Sequence, residues 1–202
     1  MLIGIDISHH NQNMKNLDDL KTLDFVIMKA SEGVRFRDPA MKKYIDALTP
    51  QQLRGLYHYA RPDINKDAEA EALYFVDTIK RYIDGKTILA LDVEGSALKV
   101  PNLDSWCCVW AQVVEMATGV LPMIYCSVSE CKRFTGVSEL SCGLWAAKWG
   151  QNKPTAKQMA PWEFWAIWQY TSDNIFSGVR TDADLFNGTR EQWLKYAKVA
   201  DK

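Results

Sequence analysis

Short apolar runs that end in polar residues recur along the chain, and they predict a series of buried strands. The clearest covers residues 88–94, where Ile-Leu-Ala-Leu is followed by Asp-Val-Glu. An apolar run without the alternation of a half-exposed strand is typical of a strand buried on both faces. Seven further runs predict strands: Leu2–Ser8, Phe25–Ala30, Leu53–Ala60, Leu121–Ser127, Gly143–Lys148, Phe164–Tyr170 and Arg180–Leu185.

Segments with apolar residues at helical spacing separate the early strands. The most regular run from about 66 to 84 and from 103 to 118, and each is followed by a glycine that can end a helix. Strands that alternate with helices predict a (β/α)8 barrel, also called a TIM barrel, with parallel strands. The last third has too few residues between strands for full helices. We therefore expect an incomplete α/β barrel of eight strands and about five crossover helices, forming a single domain over residues 1–202.

Composition narrows the functional classes. A chain of 202 residues, 48% of them hydrophobic, can bury the core of one domain. The net charge of -1 argues against general binding to nucleic acid, which usually needs a basic surface. No window of 18 apolar residues predicts a membrane span. The first residues lack the basic and apolar regions of a secretory signal peptide, so we expect a protein that stays in the cytoplasm where it is made.

The cysteine pattern favours reduced thiols that serve packing. An odd number of cysteines without a Cys-x-x-Cys motif argues against both a disulfide framework and a zinc site. The five are Cys107, Cys108, Cys126, Cys131 and Cys142.

Acidic residues stand at the ends of several predicted strands. Asp92 and Glu94 are two residues apart, so their side chains point to the same side of one strand. Asp6 lies on the first strand, and Asp184 lies on the eighth, which also carries Asp182. Barrel enzymes hold their active sites at the carboxyl ends of the strands. We therefore expect Asp6, Asp92, Glu94 and Asp184 to converge on one mouth.

A converging set of acids suits glycoside cleavage, which uses one carboxylic acid and one carboxylate. Crowded carboxyl groups raise one another's pKa, so that one can stay protonated near neutrality. Aromatic residues at neighbouring strand ends could stack on sugar rings. The candidates are Tyr57, Tyr59, Tyr125, Trp145, Trp168 and Tyr170.

Two other functions use the same residues. The four acids could bind divalent metal in a nuclease or another phosphodiesterase. The neutral net charge and the aromatic rather than basic mouth weaken that interpretation. Alternatively, the barrel could have lost its activity and only bind glycan. That interpretation predicts a missing acid, and none is missing.

Eight segments, in order over nearly the whole chain, resemble family 25 of the glycoside hydrolases, lysozymes that cleave bacterial peptidoglycan as muramidases. Each segment is short, and their order carries the resemblance. They are residues 4–8, 25–33, 55–60, 91–94, 124–127, 144–147, 168–172 and 183–186.

The resemblance implies that Glu94 is the general acid and that Asp6, Asp92 and Asp184 complete the catalytic set. It places Lys29 and Glu32 along the groove. It implies cleavage of the β-1,4 bond between N-acetylmuramic acid and N-acetylglucosamine in peptidoglycan glycan strands, by a monomer without metal, cofactor or stable membrane association. The chain looks most like a phage endolysin without a separate wall-binding module, held in the host cytoplasm until the membrane is breached.

Overall fold

A computed structural model describes residues 1–200, in which nine strands form one sheet and eight of them close into a barrel. The barrel order is β1, β9, β8, β7, β6, β5, β4 and β2, and pairing of β1 with β2 closes it, while the short β3 extends the edge of β2. The strands are β1 (Leu2–Ile7), β2 (Phe25–Glu32), β3 (Phe36–Arg37), β4 (Leu53–Tyr59), β5 (Thr87–Asp92), β6 (Met123–Ser127), β7 (Leu144–Ala147), β8 (Ile167–Phe176) and β9 (Val179–Phe186).

The predicted eight-stranded barrel is confirmed, but the expectation that all its strands are parallel is wrong for the last one. β9 pairs antiparallel with both β8 and β1. Only Ser177 and Gly178 lie between β8 and β9, and both have positive φ, as a two-residue hairpin turn of type I′ requires. A parallel connection needs a dozen or more residues. The amino-terminal half of β9 therefore lies at the end of the barrel where the other strands have their carboxyl ends.

Within residues 1–200, five of the six α-helices, α1–α5, connect successive strands, as the alternating pattern predicts. α2 is shorter than the predicted 66–84, because Asp67 caps its first turn and the helix ends at Ile79. Across residues 1–200 no helix is both long and apolar enough to span a bilayer. The helices are α1 (Met41–Ala47), α2 (Ala68–Ile79), α3 (Leu103–Thr118), α4 (Thr135–Glu139), α5 (Ala156–Met159) and α6 (Arg190–Tyr196).

The barrel interior is apolar at one end and acidic at the other. Trp193 of α6 is fully buried and packs against Phe25 and Phe186, with ring centres 4.7 and 5.1 Å away. These aromatic contacts fill the end of the barrel where β1 and β2 begin. The polar side chains of the interior collect at the opposite end, and they form the candidate site.

Candidate active site

A cavity of about 300 Å³ opens at the mouth of the barrel. An adjoining cavity of about 410 Å³ shares Glu94, Tyr125 and Trp149 with it, so the two form one groove across the mouth. A larger cavity, about 960 Å³, lies between the first turns of α2 and α3 and contains none of the strand-end acids. The mouth cavity is lined by Asp6, Tyr57, Asp92, Glu94, Tyr125, Trp145, Trp149, Gln169, Ser172 and Asp182.

The end of β5 places two acids in this cavity. Asp92 is the last residue of the strand, and Glu94 follows two residues later. Gly95 then turns the chain away with a φ of +56°. A side chain at Gly95 would put its Cβ 2.8 Å from the Tyr59 hydroxyl, so both the conformation and the space require glycine. Asp92 and Glu94 consequently line the same cavity, as their spacing predicts.

Asp6 is held in place by a glutamine that the sequence analysis did not single out. Gln169 donates a hydrogen bond from Nε2 to Asp6 Oδ2 at 2.8 Å. Its Oε1 accepts hydrogen bonds from the Tyr125 hydroxyl at 3.0 Å and from Trp149 Nε1 at 3.1 Å. Because both acceptor contacts engage the oxygen, the amide can present only its donor to Asp6.

The acid that β9 contributes to the cavity is Asp182, whereas Asp184 was expected there. Asp184 is fully buried one layer deeper, where it accepts a hydrogen bond from Trp145 Nε1 at 2.8 Å. The cause is the antiparallel direction of β9, in which the earlier residue lies nearer the mouth. Alternation along the strand gives Asp182 and Asp184 the same face, so the sequence identified the face but not the depth.

Lys29 and Glu32 form an ion pair beside the cavity and do not line it. The β2–β4 register shifts between Lys29 and Ser31, which marks a bulge. Lys29 Nζ lies 2.6 Å from Glu32 Oε2 and 4.6 Å from the centre of the Tyr59 ring. Glu32 also pairs with Arg61 Nη1 at 2.8 Å. The bulge thus brings the two charged groups together although they are three residues apart.

The pKa values of the acids follow from burial and crowding. Burial, and after it the negative charge of Asp182, raises the pKa of Asp6 from 3.8 to about 7. Burial and the neighbouring Glu94 raise the pKa of Asp92 well above its ordinary value. Burial and Asp182 raise the pKa of Glu94, while the charge of Lys29 lowers it. Burial and crowding therefore raise all three pKa values, which is the direction that acid catalysis near neutral pH requires.

The acids are not arranged as a metal centre. Among residues 1–200, no group of three or more His, Cys, Asp or Glu side chains is placed to hold a metal ion. The side chains that contact these carboxyl groups are N–H donors rather than further oxygen ligands: Trp145 Nε1 donates to Asp184, and Gln169 Nε2 donates to Asp6. The arrangement suits proton transfer more than metal coordination.

Three of the six predicted aromatic residues line the cavity: Tyr57, Tyr125 and Trp145. Trp145 contacts both tyrosines edge to face, with ring centres 6.1 and 4.8 Å away. Tyr59 lies at the edge of the site under the Lys29 ammonium group. These rings form one wall of the mouth.

Trp168 and Tyr170, which were expected in the groove, lie outside it. Trp168 is 3% exposed and donates a hydrogen bond from Nε1 to the Lys148 carbonyl at 2.7 Å. Tyr170 contacts it edge to face at 5.8 Å. Side chains alternate along β8, so Gln169 faces the interior and its two neighbours face the surrounding layer. The apolar run of the predicted strand Phe164–Tyr170 did not indicate whether Gln169 or its two neighbours face the barrel interior.

Trp149 was not among the predicted site residues, although its side chain forms part of the cavity wall while the residue is 64% exposed. It follows β7 by two residues, beyond the end of the predicted strand. An exposed tryptophan just past a strand end at the barrel mouth is a signal that could have been used. Four cavity residues were not among the expected site residues: Trp149, Gln169, Ser172 and Asp182.

Comparisons with known proteins agree with this geometry. The family model described as glycosyl hydrolases family 25 matches residues 5–179. Lysozyme M1 of Streptomyces globisporus is 28% identical over 96% of this chain and 70% of its own length. The N,O-diacetylmuramidase of Arthroderma benhamiae is 28% identical over 96% of this chain and 86% of its own.

The fold is shared with a solved enzyme. The crystal structure of the bacterial lysozyme from Streptomyces coelicolor superposes with a TM-score of 0.81 at 24% identity, covering 97% of this chain and 96% of the other. Since the family model spans most of the sequence, the chain belongs to family 25 of the glycosyl hydrolases, and it is a glycosidase.

Proposed function

We propose that this glycosidase is a muramidase that cleaves the β-1,4 bond between N-acetylmuramic acid and N-acetylglucosamine in bacterial peptidoglycan, with Glu94 as its general acid. The observation that carries the proposal is the position of Glu94. It is half-buried in the groove, and burial and Asp182 keep its pKa raised. The similarity to a lysozyme and to an N,O-diacetylmuramidase supports the choice of substrate.

Glu94 acts first as an acid and then as a base. The protonated carboxyl gives its proton to the glycosidic oxygen as the bond from that oxygen to the anomeric carbon breaks. The resulting carboxylate then accepts a proton from the water that completes hydrolysis. A carboxyl group in a solvated position would have lost its proton at neutral pH, so burial is part of its function.

Asp92 is the acid best placed to hold the substrate's 2-acetamido group. Asp6 already accepts a hydrogen bond from Gln169, whereas Asp92 Oδ1 is buried without a hydrogen-bond partner among residues 1–200. A buried polar atom without a partner is costly unless a ligand satisfies it. The acetamido N–H can supply that hydrogen bond, and its carbonyl oxygen can then attack the anomeric carbon. Reaction by this route retains the anomeric configuration.

The setting of the reaction follows from the substrate, which is the bacterial cell wall. Arrival at the wall after the membrane has been breached, as for an endolysin, stays a prediction, and so does action as a monomer. Both can be checked on the purified protein and on intact cells.

The test of the acid role is Glu94→Gln, which keeps the shape and removes the proton. Because general acid catalysis contributes about 10²–10⁴-fold, we expect release of reducing ends from purified sacculi to fall by about 100-fold or more, with an unchanged circular dichroism spectrum. Glu139→Gln, at an exposed position of α4, serves as the matched control and should keep its activity. If Glu94→Gln keeps more than about a tenth of the activity, another group is the acid.

A further inference from the structure

Asp184 is a buried carboxyl group that the mechanism above does not use. Its side chain is fully buried, and its Oδ1 accepts the hydrogen bond from Trp145 Nε1 at 2.8 Å. Its Oδ2 is also buried, and no N–H or O–H group among residues 1–200 donates to it. An ionised carboxylate is expensive to bury with half of its acceptor capacity unsatisfied.

The Asp6 carboxyl group is the neighbour of Asp184 on the adjoining strand, because β9 pairs Asp184 with Gly4 and Asp6 lies two residues further along β1 on the same face of the sheet. Each of the two carboxyl groups acts on the pKa of the other. Two ionised carboxylates have no proton to donate to each other and repel. One proton shared between them removes the repulsion and gives Asp184 Oδ2 a partner. Asp6 already accepts a hydrogen bond from Gln169 and lines the cavity, so the proton belongs on the deeper Asp184.

We propose that Asp184 is a protonated carboxylic acid at neutral pH and donates a hydrogen bond to the carboxylate of Asp6. It is a positioning residue, because it contacts Asp6 from below the cavity while Gln169 contacts Asp6 from β8. Together the two donors fix the Asp6 carboxylate and favour its ionised form. The catalytic consequence rests on the proposed function, whereas the protonation state does not.

The charged groups around Asp184 also favour its protonated form. Burial is the largest cause that raises the pKa of Asp184, the charges of Asp6 on β1 and Asp182 on β9 raise it further, and the Trp145 hydrogen bond lowers it. Tyr170 of β8 is a further titratable group that lies near Asp184. Asp6 in turn faces Asp182 and Glu94, and its charge also acts on Asp92 and on the phenols of Tyr57 and Tyr125. Each of these charged groups is acidic, so electrostatics favours a bound proton on the most buried carboxyl.

The first test measures protonation without using activity. A carboxyl group that stays protonated on folding takes up a proton whenever the unfolded chain, with an Asp pKa of 3.8, is ionised. Asp184→Asn cannot do so but keeps an N–H donor for Asp6 and an acceptor for Trp145. The folding equilibrium constant of the variant, divided by that of the wild type, should therefore rise by about tenfold per pH unit between about pH 5 and 7. Urea unfolding at each pH gives this ratio.

Asp173→Asn is the matched control, because Asp173 is an exposed aspartate on β8. For Asp173→Asn, the folding equilibrium constant divided by that of the wild type should not change over the same pH range. A flat ratio for Asp184→Asn as well would show that Asp184 is ionised in the folded protein, and that result overturns the proposal. Difference infrared spectroscopy between the wild type and Asp184→Asn should also show the loss of a protonated carboxyl band.

The second test uses the pH profile of kcat/KM on a soluble glycan. Under the proposed function the Asp6 carboxylate belongs to the catalytic set, as the family resemblance implies. Asp184→Leu removes the donor and raises the pKa of Asp6, so the acidic limb should move to higher pH. Asp184→Asn restores the donor and should restore the wild-type limb. A limb that moves to lower pH in Asp184→Asn would mean that a negative charge had been removed, which contradicts the proposal. If the wild type cleaves no glycan, the proposed function fails, while the unfolding ratio still decides the protonation state.

Discussion

Four carboxyl groups share the mouth of the barrel, and the contacts around each one distinguish their roles. Asp6 is fixed by Gln169, Asp92 has one buried oxygen without a partner among residues 1–200, and Glu94 is half-buried. Asp182 acts on its neighbours mainly through its charge, since it raises the pKa of both Asp6 and Glu94. The same functional group can therefore serve as acid, orienting group or electrostatic neighbour in one cavity.

Substitution of Asp182 should change the pH at which Glu94 loses its proton. Asp182→Asn removes a negative charge that raises the pKa of Glu94, so that pKa falls. Because Glu94 must be protonated to act, the basic limb of the pH–rate profile should move to lower pH. The measurement is kcat/KM against pH on a soluble peptidoglycan oligosaccharide.

Asp173→Asn tests whether this shift depends on proximity. Asp173 is exposed and pairs with Arg180 at 3.1 Å, outside the cavity. Loss of its charge should leave the basic limb in place. An equal shift in both variants would show that the effect comes from net charge, and the electrostatic role of Asp182 would then be wrong.

At the scale of the element, the two faces of β8 have different roles: one face contacts the active site, and the other packs against the surrounding layer. Gln169 points inward and contacts Asp6, while Trp168 points outward and is bound to the Lys148 carbonyl. Adjacent residues of one strand should consequently respond to substitution in different ways. This difference can be measured with two variants.

Gln169→Leu should lower kcat/KM, because Asp6 loses a donor. A hydrogen bond to a charged group is worth about 1.5–3 kcal/mol, which corresponds to a loss of roughly 10- to 100-fold. Trp168→Phe should instead lower the free energy of unfolding by roughly 1–3 kcal/mol and leave kcat/KM of the folded enzyme near the wild-type value. Denaturant unfolding and initial rates check both expectations. A large loss of activity in folded Trp168→Phe would place Trp168 in the site after all.

The strands that form the site could be predicted from the sequence. The side chains of those strands that point into the cavity could be predicted less well. Spacing alone placed Asp92 and Glu94 together, because Gly95 ends the strand directly after them. It did not separate Trp168 from Gln169, since a strand buried on both faces shows no alternation that marks its inner side. It also misplaced Asp184, whose depth depends on the direction of β9. That direction is set by the hairpin turn and not by the acids themselves.

At the scale of the molecule, the barrel was predictable because its early strands and helices alternate clearly along the sequence. α2 and α3 follow strands at regular intervals, and five helices connect strands as expected. The last strand broke the pattern, because β8 and β9 form a hairpin where a parallel barrel would have a helical crossover. The mouth of the site is built partly from this hairpin, so the local departure from the barrel rule determines which acid is used.

The thiols should not affect the stability of this fold. The structure holds all five cysteines as free thiols, and four of them are buried. Even the Sγ atoms of Cys126 and Cys131 are 3.7 Å apart, well beyond the roughly 2 Å of a disulfide. We expect dithiothreitol to leave both the melting temperature and wall-lytic activity unchanged. A clear drop in either quantity after reduction would reveal a disulfide that contributes to stability.

The most direct measurement of the central claim is the identity of the sugar at the new reducing end. Purified sacculi are digested by the wild-type enzyme in excess EDTA, and the released muropeptides are reduced and identified by mass spectrometry. We predict reducing-end N-acetylmuramic acid from the wild type and almost no product from Glu94→Gln. Reducing-end N-acetylglucosamine would make the enzyme a glucosaminidase. Activity that disappears in EDTA and returns with magnesium or manganese would contradict acid catalysis by the carboxyl groups alone.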